Sequence, residues 1–225
     1  MAGQLDIVDR PSPNFGPRRD ELRPEYVVLH YTAMKTADAA LERLCDPEFE
    51  VSAHYLITEV GQVIRLVDER FRAWHAGAGM WQGKDDLNSR SIGIELANRG
   101  NHPFSNLQMN ALELLLAGIL QRWELSPSCV IGHSDMAPDR KKDPGRRFDW
   151  RRLAHQRLAV WSDLGGNPLC KSLPWSESAA RIGYSLDDQV AALDAFRARF
   201  RPWKTGPQDG EDAVLAESVA NLIER

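Results

Sequence analysis

Cysteine is scarce. The 225-residue chain has three, Cys45, Cys129 and Cys170. Their wide gaps exclude a thiolate metal knuckle and a disulfide scaffold, and at most one pair could form. Cys129, in an apolar segment, reads as a small buried hydrophobe. Long hydrophobic runs are also missing. Nothing approaches about 18 continuous apolar residues, so no transmembrane helix is expected. Met1–Asp20 carries Asp6, Asp9 and Asp20 and no apolar stretch of signal length. We therefore expect a cytoplasmic protein, or a periplasmic one if an export signal has been removed. A basic surplus is absent too: 28 Lys and Arg against 32 Asp and Glu leave a net charge of -4. Nucleic acid is not an expected partner, because such a surface needs positive charge along a face or groove. The His-Glu-x-x-His helix of common zinc peptidases is missing, and no internal repeat is evident.

Hydrophobic residues make up 43% of the chain, enough for one substantial core and a small second unit. Tyr26–Thr32 reads as a strand, β-branched and apolar after Pro24. Thr36–Cys45 has helical spacing and is stopped by Pro47. Ala53–Thr58 and Val63–Val67 form an expected antiparallel hairpin turned at Gly61, which tolerates positive φ. Trp74–Leu87 reads as a long structured loop and Ser91–Leu96 as a strand. Asn106–Glu124 is the strongest amphipathic helix. Cys129–Gly132 is a short strand that delivers His133 into a loop, and Trp150–Trp161 is helical. The expected fold class is α/β: a central mixed β-sheet flanked by helices, with a small C-terminal three-helix domain. Gly165–Pro168 marks the boundary, giving a catalytic domain over 1–165 and a helical domain over 166–225. The tail helices are Ser176–Ile182, Asp187–Phe200 and Gly210–Leu222. The middle one carries Val190, Leu193, Phe196 and Phe200 on an apolar face. A unit this small has little core of its own and is expected to rest on the main domain.

The chemistry concentrates in Val130–Asp143. His133 and Asp143 lie ten residues apart there, with Lys141 two before the aspartate. His30 ends the apolar run Val27-Val28-Leu29. Two imidazoles, a carboxylate and an open position for water make a catalytic zinc site. Each residue also has a plainer reading. His30 and His133 could be hydrogen-bonded core residues, and Asp143 could cap a turn beside Pro144-Gly145. Alternation places Gly93 and Glu95 on one face of their strand, with Ile92, Ile94 and Leu96 on the other. Glu95 could then move protons between water and a leaving amine, or simply face solvent from an edge strand. Lys141 could stabilise an oxyanion, while Lys142 points away. Asp135 and Arg140 could orient ligands or tie the loop. Tyr31, His54, Trp74, His75, Trp81 and Arg140 are candidate substrate contacts. His54 could instead be structural, and Trp74 and Trp81 could stack on sugar rings or pack their loop.

Five segments together carry a resemblance: Val28–Thr32, Ser52–Tyr55, Ala73–Gly77, Ser91–Glu95 and Gly132–Gly145. In that order the chain resembles the zinc-dependent N-acetylmuramoyl-L-alanine amidases of the type-2 group, which are related to peptidoglycan recognition proteins. The resemblance implies zinc held by His30, His133 and Asp143, with Glu95 and Lys141 serving catalysis. It implies a peptidoglycan or muropeptide substrate, cut between muramic acid (in its 1,6-anhydro form for recycled fragments) and L-alanine. Ala191–Pro202 resembles part of a small peptidoglycan-binding domain. The rival reading is a recognition module without catalysis.

Overall fold

Strands that are apolar on both faces need cover on both faces, and helices must supply it. The computed structural model describes residues 5–163 and 173–224. Its first half runs β1 (Ile7–Asp9), β2 (Phe15–Gly16), β3 (Tyr26–Tyr31), α1 (Ala37–Cys45), β4 (Tyr55–Ile57), β5 (Val63–Arg65), β6 (Arg72–Ala73), α2 (Leu87–Arg90) and β7 (Ser91–Leu96). Then follow α3 (Asn106–Trp123), β8 (Val130–Gly132), α4 (His133–Met136), α5 (Trp150–His155), α6 (Trp175–Ile182), α7 (Gln189–Phe200) and α8 (Gly210–Ile223).

Six strands form one mixed sheet in the order β1-β5-β4-β7-β3-β8. β4, β7, β3 and β8 are mutually parallel, and β5 returns antiparallel to β4. Gly61 turns that hairpin at φ 83°. One face of the sheet presents Val27, Leu29, Ile92, Ile94 and Leu96 to Leu112, Leu116 and Ile119 of α3 and to Trp150 and Leu153 of α5. Ser105 caps α3 by accepting from the Gln108 N–H, and Glu124 closes the helix in the left-handed region.

The opposite face is covered at its two sides. Ala40 and Leu44 of α1 pack over Leu56 and Ile64. The C-terminal helices pack over Tyr26, Val28 and Ile131. Between these covers a strip stays open at the carboxyl ends of β7 and β3, where an α/β sheet offers a site. Alternation puts Gly93, Glu95 and His30 on that strip, with His30 opposite Glu95 in register.

Three expectations need correction. The helix from Trp150 ends at His155, because Arg157 turns at φ 60° and sends Leu158 and Ala159 back into the core. His133 opens the short helix α4 rather than a loop. Val190 does not belong to the apolar face of α7: it is 80% exposed, and the buried face runs through Ala192, Ala195, Phe196, Arg199 and Phe200. The three tail helices have no separate core; Trp175, Phe196 and Val219 share one cluster with Val28 and Ile131 of the sheet. The boundary read at Gly165–Pro168 lies outside the described residues, as does Cys170, while Cys45 and Cys129 are free and half-buried.

Glu69 locks α3 to the hairpin. Its carboxylate accepts from Tyr55 Oη at 2.7 Å, Arg122 Nη2 at 2.6 Å and Trp123 Nε1 at 2.6 Å. Burial alone would raise its pKa, but these donors outweigh burial and hold it below the usual carboxylate range. A depressed folded pKa contributes stability at neutral pH that disappears as pH falls through it. Glu69→Gln should therefore lower stability at pH 7 by about 2 kcal/mol. In urea titrations, the gap to the parent should close as pH drops below about 4. A gap that stays constant across that range would show that the carboxylate charge is not the stabilising feature.

Candidate active site and metal centre

Three elements aim one donor atom each at a common point. His30 ends β3, His133 follows β8, and Asp143 comes from the loop after α4. His30 Nδ1 and His133 Nδ1 lie 2.9 Å apart, and Asp143 Oδ2 sits 2.9 Å and 3.0 Å from them. All three residues are buried. Gly132 makes the loop's return possible, since a Cβ there would meet Pro144 Cδ at 2.7 Å. The Ser134 N–H donates to the Asp143 carbonyl at 2.9 Å, fixing one ligand segment to the other.

The other ring nitrogens are committed elsewhere, which sets the tautomers. His133 Nε2 donates to the Ala76 carbonyl at 2.9 Å. His30 Nε2 donates to His75 Nδ1 at 3.0 Å. His75 Nε2 in turn lies 3.3 Å from Ser91 Oγ, whose proton goes to the Leu87 carbonyl. Both ligand Nδ1 atoms are thus left as acceptors, the form a metal needs. Burial, followed by the His133 charge, lowers His30 to a pKa of about 4, so its ring is neutral at pH 7. Burial opposes ionisation of Asp143, but the adjoining His133 and His30 rings keep it well below the usual range. Two imidazoles presenting Nδ1 and a carboxylate with an open side form a single Zn2+ site.

That open side faces a cavity of about 470 Å3 lined by Tyr31, Trp74, His75, Glu95, Arg140 and Lys141 as well as the ligands. Burial, then the neighbouring Asp143 charge, pushes Glu95 up to a pKa of about 8, against the pull of Lys141. Its Oε2 is buried with no hydrogen-bond partner among the described residues. Glu95 lies on a central strand, so the edge-strand reading fails. Lys142 also borders the cavity, but its ammonium extends to Asp194 at 3.5 Å. Arg140 donates to the carbonyls of Ala76 and Ala78, tying the Trp74–Trp81 loop to the ligand loop.

Two candidate contacts are elsewhere. His54 is fully buried: its Nδ1 accepts the Gly93 N–H at 3.0 Å and its Nε2 donates to the Phe71 carbonyl at 3.1 Å. Its role is structural. Trp81 is 1% exposed and packs edge-on against Tyr184 at 5.0 Å, beneath the tail helices. The tail packs its indole as core, away from the substrate cavity. Sequence reasoning also missed how Asp135 is held. This buried carboxylate accepts the Gly132 N–H at 2.8 Å, Tyr184 Oη at 2.6 Å and Arg199 Nη1 at 2.8 Å. No local signal marks Tyr184 or Arg199, which come from the distant tail.

A buried two-imidazole, one-carboxylate zinc centre beside a carboxylate-lined cavity defines a zinc-dependent hydrolase. Comparison with known proteins narrows the class. Residues 20–146 match the N-acetylmuramoyl-L-alanine amidase family, and the chain belongs to that family. It is 34% identical to N-acetylmuramoyl-L-alanine amidase AmiD of Escherichia coli (strain K12), over 97% of this chain and 91% of that one. The structure of AmiD in complex with its substrate anhydro-N-acetylmuramic acid-L-Ala-D-γ-Glu-L-Lys superposes with a TM-score of 0.80, covering 95% and 93% of the two chains. AmpDh3 of Pseudomonas aeruginosa gives 0.81 at 31% identity, covering 96% of each chain. The 1,6-anhydro-N-acetylmuramyl-L-alanine amidase AmpD of Enterobacter cloacae is 34% identical over 71% of this chain and 94% of its own. This chain is a zinc-dependent amidase.

The His75 ring rests on Gly93, where a Cβ would meet ring Cγ at 2.4 Å. Gly93→Ala should push His75 off His30 and weaken zinc binding about 10- to 100-fold, the usual cost of losing such support. Competition with a chelating dye checks this, with far-UV circular dichroism as the folding control. Parent-like zinc affinity in a folded Gly93→Ala variant would remove His75 from the account.

Proposed function

We propose that the chain hydrolyses the amide between the lactyl group of 1,6-anhydro-N-acetylmuramic acid and L-alanine of the stem peptide, in peptidoglycan recycling. The observation that carries this reading is Glu95, buried and unpartnered at Oε2 on the cavity wall beside the ligand triad. The named substrates of AmiD and AmpD support the choice of bond.

Zinc, when bound, polarises a carbonyl and makes water a nucleophile at neutral pH. His30, His133 and Asp143 would hold it. Glu95 takes the proton from the attacking water and passes it to the L-alanine nitrogen as that amine leaves. Its raised pKa suits the second transfer, and a cation in the neighbouring site favours the charged form needed for the first. The Lys141 ammonium stabilises negative charge developing on the former carbonyl oxygen. Tyr31, Trp74 and His75 shape the wall against which sugar and peptide are oriented. We further propose that the tail helices contribute to holding wall glycan.

Glu95→Gln should retain zinc and lose about 10²- to 10⁴-fold in kcat, the range for removing a general acid–base group. His30→Ala and Asp143→Ala should lose zinc itself, read by metal analysis after dialysis. Retained turnover in Glu95→Gln would reject the role assigned to Glu95. The zinc-loaded protein should also be given soluble anhydro-muropeptide and intact sacculi in parallel, with products read by mass spectrometry. Stem peptide released from the soluble substrate supports the proposal. No product from either would overturn it in favour of a recognition module.

A further inference from the structure

A second cavity of about 650 Å3 adjoins the zinc cavity, and Tyr31 and Lys142 line both. Tyr31 stands between them with its ring against Gly100, where a Cβ would meet Tyr31 Cζ at 2.7 Å. The far wall comes from the tail, through Asp194 and Trp203.

Trp203 is 70% exposed. Leaving so large an apolar ring in water is unfavourable, yet the backbone on either side of it is pinned. Arg146 Nη1 donates to the Pro202 carbonyl at 3.0 Å and to the Lys204 carbonyl at 3.0 Å. The indole is therefore an exposed platform on a fixed loop. Beside it the polar groups have both signs. Asp194 accepts from Arg146 and from Lys142. Arg147 is exposed and has no hydrogen-bond or ion-pair partner among the described residues.

The charge pattern discriminates between ligands. A carboxylate from a stem peptide would be drawn to the arginines but would meet the charge of Asp194. A neutral sugar would not: its hydroxyls donate to a carboxylate and accept from a guanidinium, and its C–H face stacks on an aromatic ring. We propose that this cavity is a saccharide subsite. It holds a neutral ring of the glycan adjoining the muramic acid at the zinc, with Trp203 stacking on that ring and Asp194 and Arg147 bonding its hydroxyls. The proposal rests on the amidase reading and extends it, because it makes the enzyme sensitive to the length of glycan attached to the scissile amide.

The test uses Trp203→Ala and Arg147→Ala in the full zinc-loaded chain. Both side chains are exposed, so the fold is not at stake, and Trp203→Phe serves as the conservative control. Two muropeptides are compared, one with a single muramic ring and one with a further N-acetylglucosamine. Trp203→Ala should raise KM for the two-sugar substrate about tenfold, the effect of losing one stacked ring. Its kcat, and all kinetics on the one-sugar substrate, should be unchanged, and Trp203→Phe should recover most of the loss. Separately, chitotetraose is titrated by calorimetry. The parent should bind it, and Trp203→Ala should not.

A parent-like KM for the two-sugar substrate in Trp203→Ala, or undiminished chitotetraose binding, would overturn the subsite. So would binding of the acidic tripeptide L-Ala-D-γ-Glu-L-Lys that Arg147→Ala abolishes, which would make the cavity a peptide site. Failure of the amidase reading itself has a different signature: the parent would release no peptide from the one-sugar substrate, while the chitotetraose titration would still be informative.

Discussion

Everything around the site depends on one buried contact, the Asp143 carboxylate placed against two imidazole Nδ1 atoms at 2.9 Å and 3.0 Å. A carboxylate taken out of water needs compensation, and here its nearest partners are two ring nitrogens. The arrangement is satisfied best by a metal. The rest of the local structure keeps the three donors from finding other partners. The Ala76 carbonyl and His75 occupy the far ring nitrogens, and the Ser134 N–H occupies the Asp143 backbone. Gly93 and Gly132 are glycines because His75 and Pro144 already fill the space a side chain would take. Both positions look permissive in the sequence. In the fold they are among the least tolerant of added atoms.

Much of this was legible in the chain. β7 could be read residue by residue, because its alternation separates Gly93 and Glu95 from Ile92, Ile94 and Leu96, and the sheet keeps that division. The hairpin turned where Gly61 marked it. His133 and Asp143 stood within the long Gly132–Gly145 motif, and the family resemblance joined His30 to them as the third ligand. What failed needed knowledge of contacts between distant segments. His54 and Trp81 have the polarity and size of cleft residues, and only the packing of Phe71 and Tyr184 against them shows that they are interior. Arg199 failed in the opposite direction. Hydrophobic periodicity assigns a charged residue to solvent, yet Arg199 is 5% exposed, bonded to Asp135 and stacked over Trp150 at 4.2 Å. The apolar face of α7 was consequently drawn through Val190.

That arginine shows what the tail does for the site. The family match ends at residue 146, before α6, α7 and α8 begin. Asp135 Oδ2 accepts the Gly132 N–H, immediately before His133, together with Arg199 from the tail, while Oδ1 accepts from Tyr184. A buried carboxylate with three donors is a rigid joint, whereas the same group lacking two of them would be a costly one. The tail is therefore coupled to a zinc ligand through a polar network as well as through the shared apolar cluster. Its helices cover the β8 side of the sheet as α1 covers the β5 side, and among the described residues the strip between them, which the site occupies, is left open.

The same economy of contacts explains why Glu95 is available for chemistry. A carboxylate in the centre of a parallel sheet normally finds a donor, since buried polar groups are seldom left unpaired. Its neighbours in register are His30, whose two nitrogens are already committed, and Leu56, which is apolar. Lys141 shares its cavity wall but has no hydrogen bond to it. Glu95 Oε2 thus stays without a partner at the cavity, with Lys141 the nearest unpaired cation on the same wall among the described residues. A side chain in that position is costly to the folded state and is relieved by a water or an amine bound against it. Because the relief comes only from those ligands, the strain is spent at the step where a proton must move.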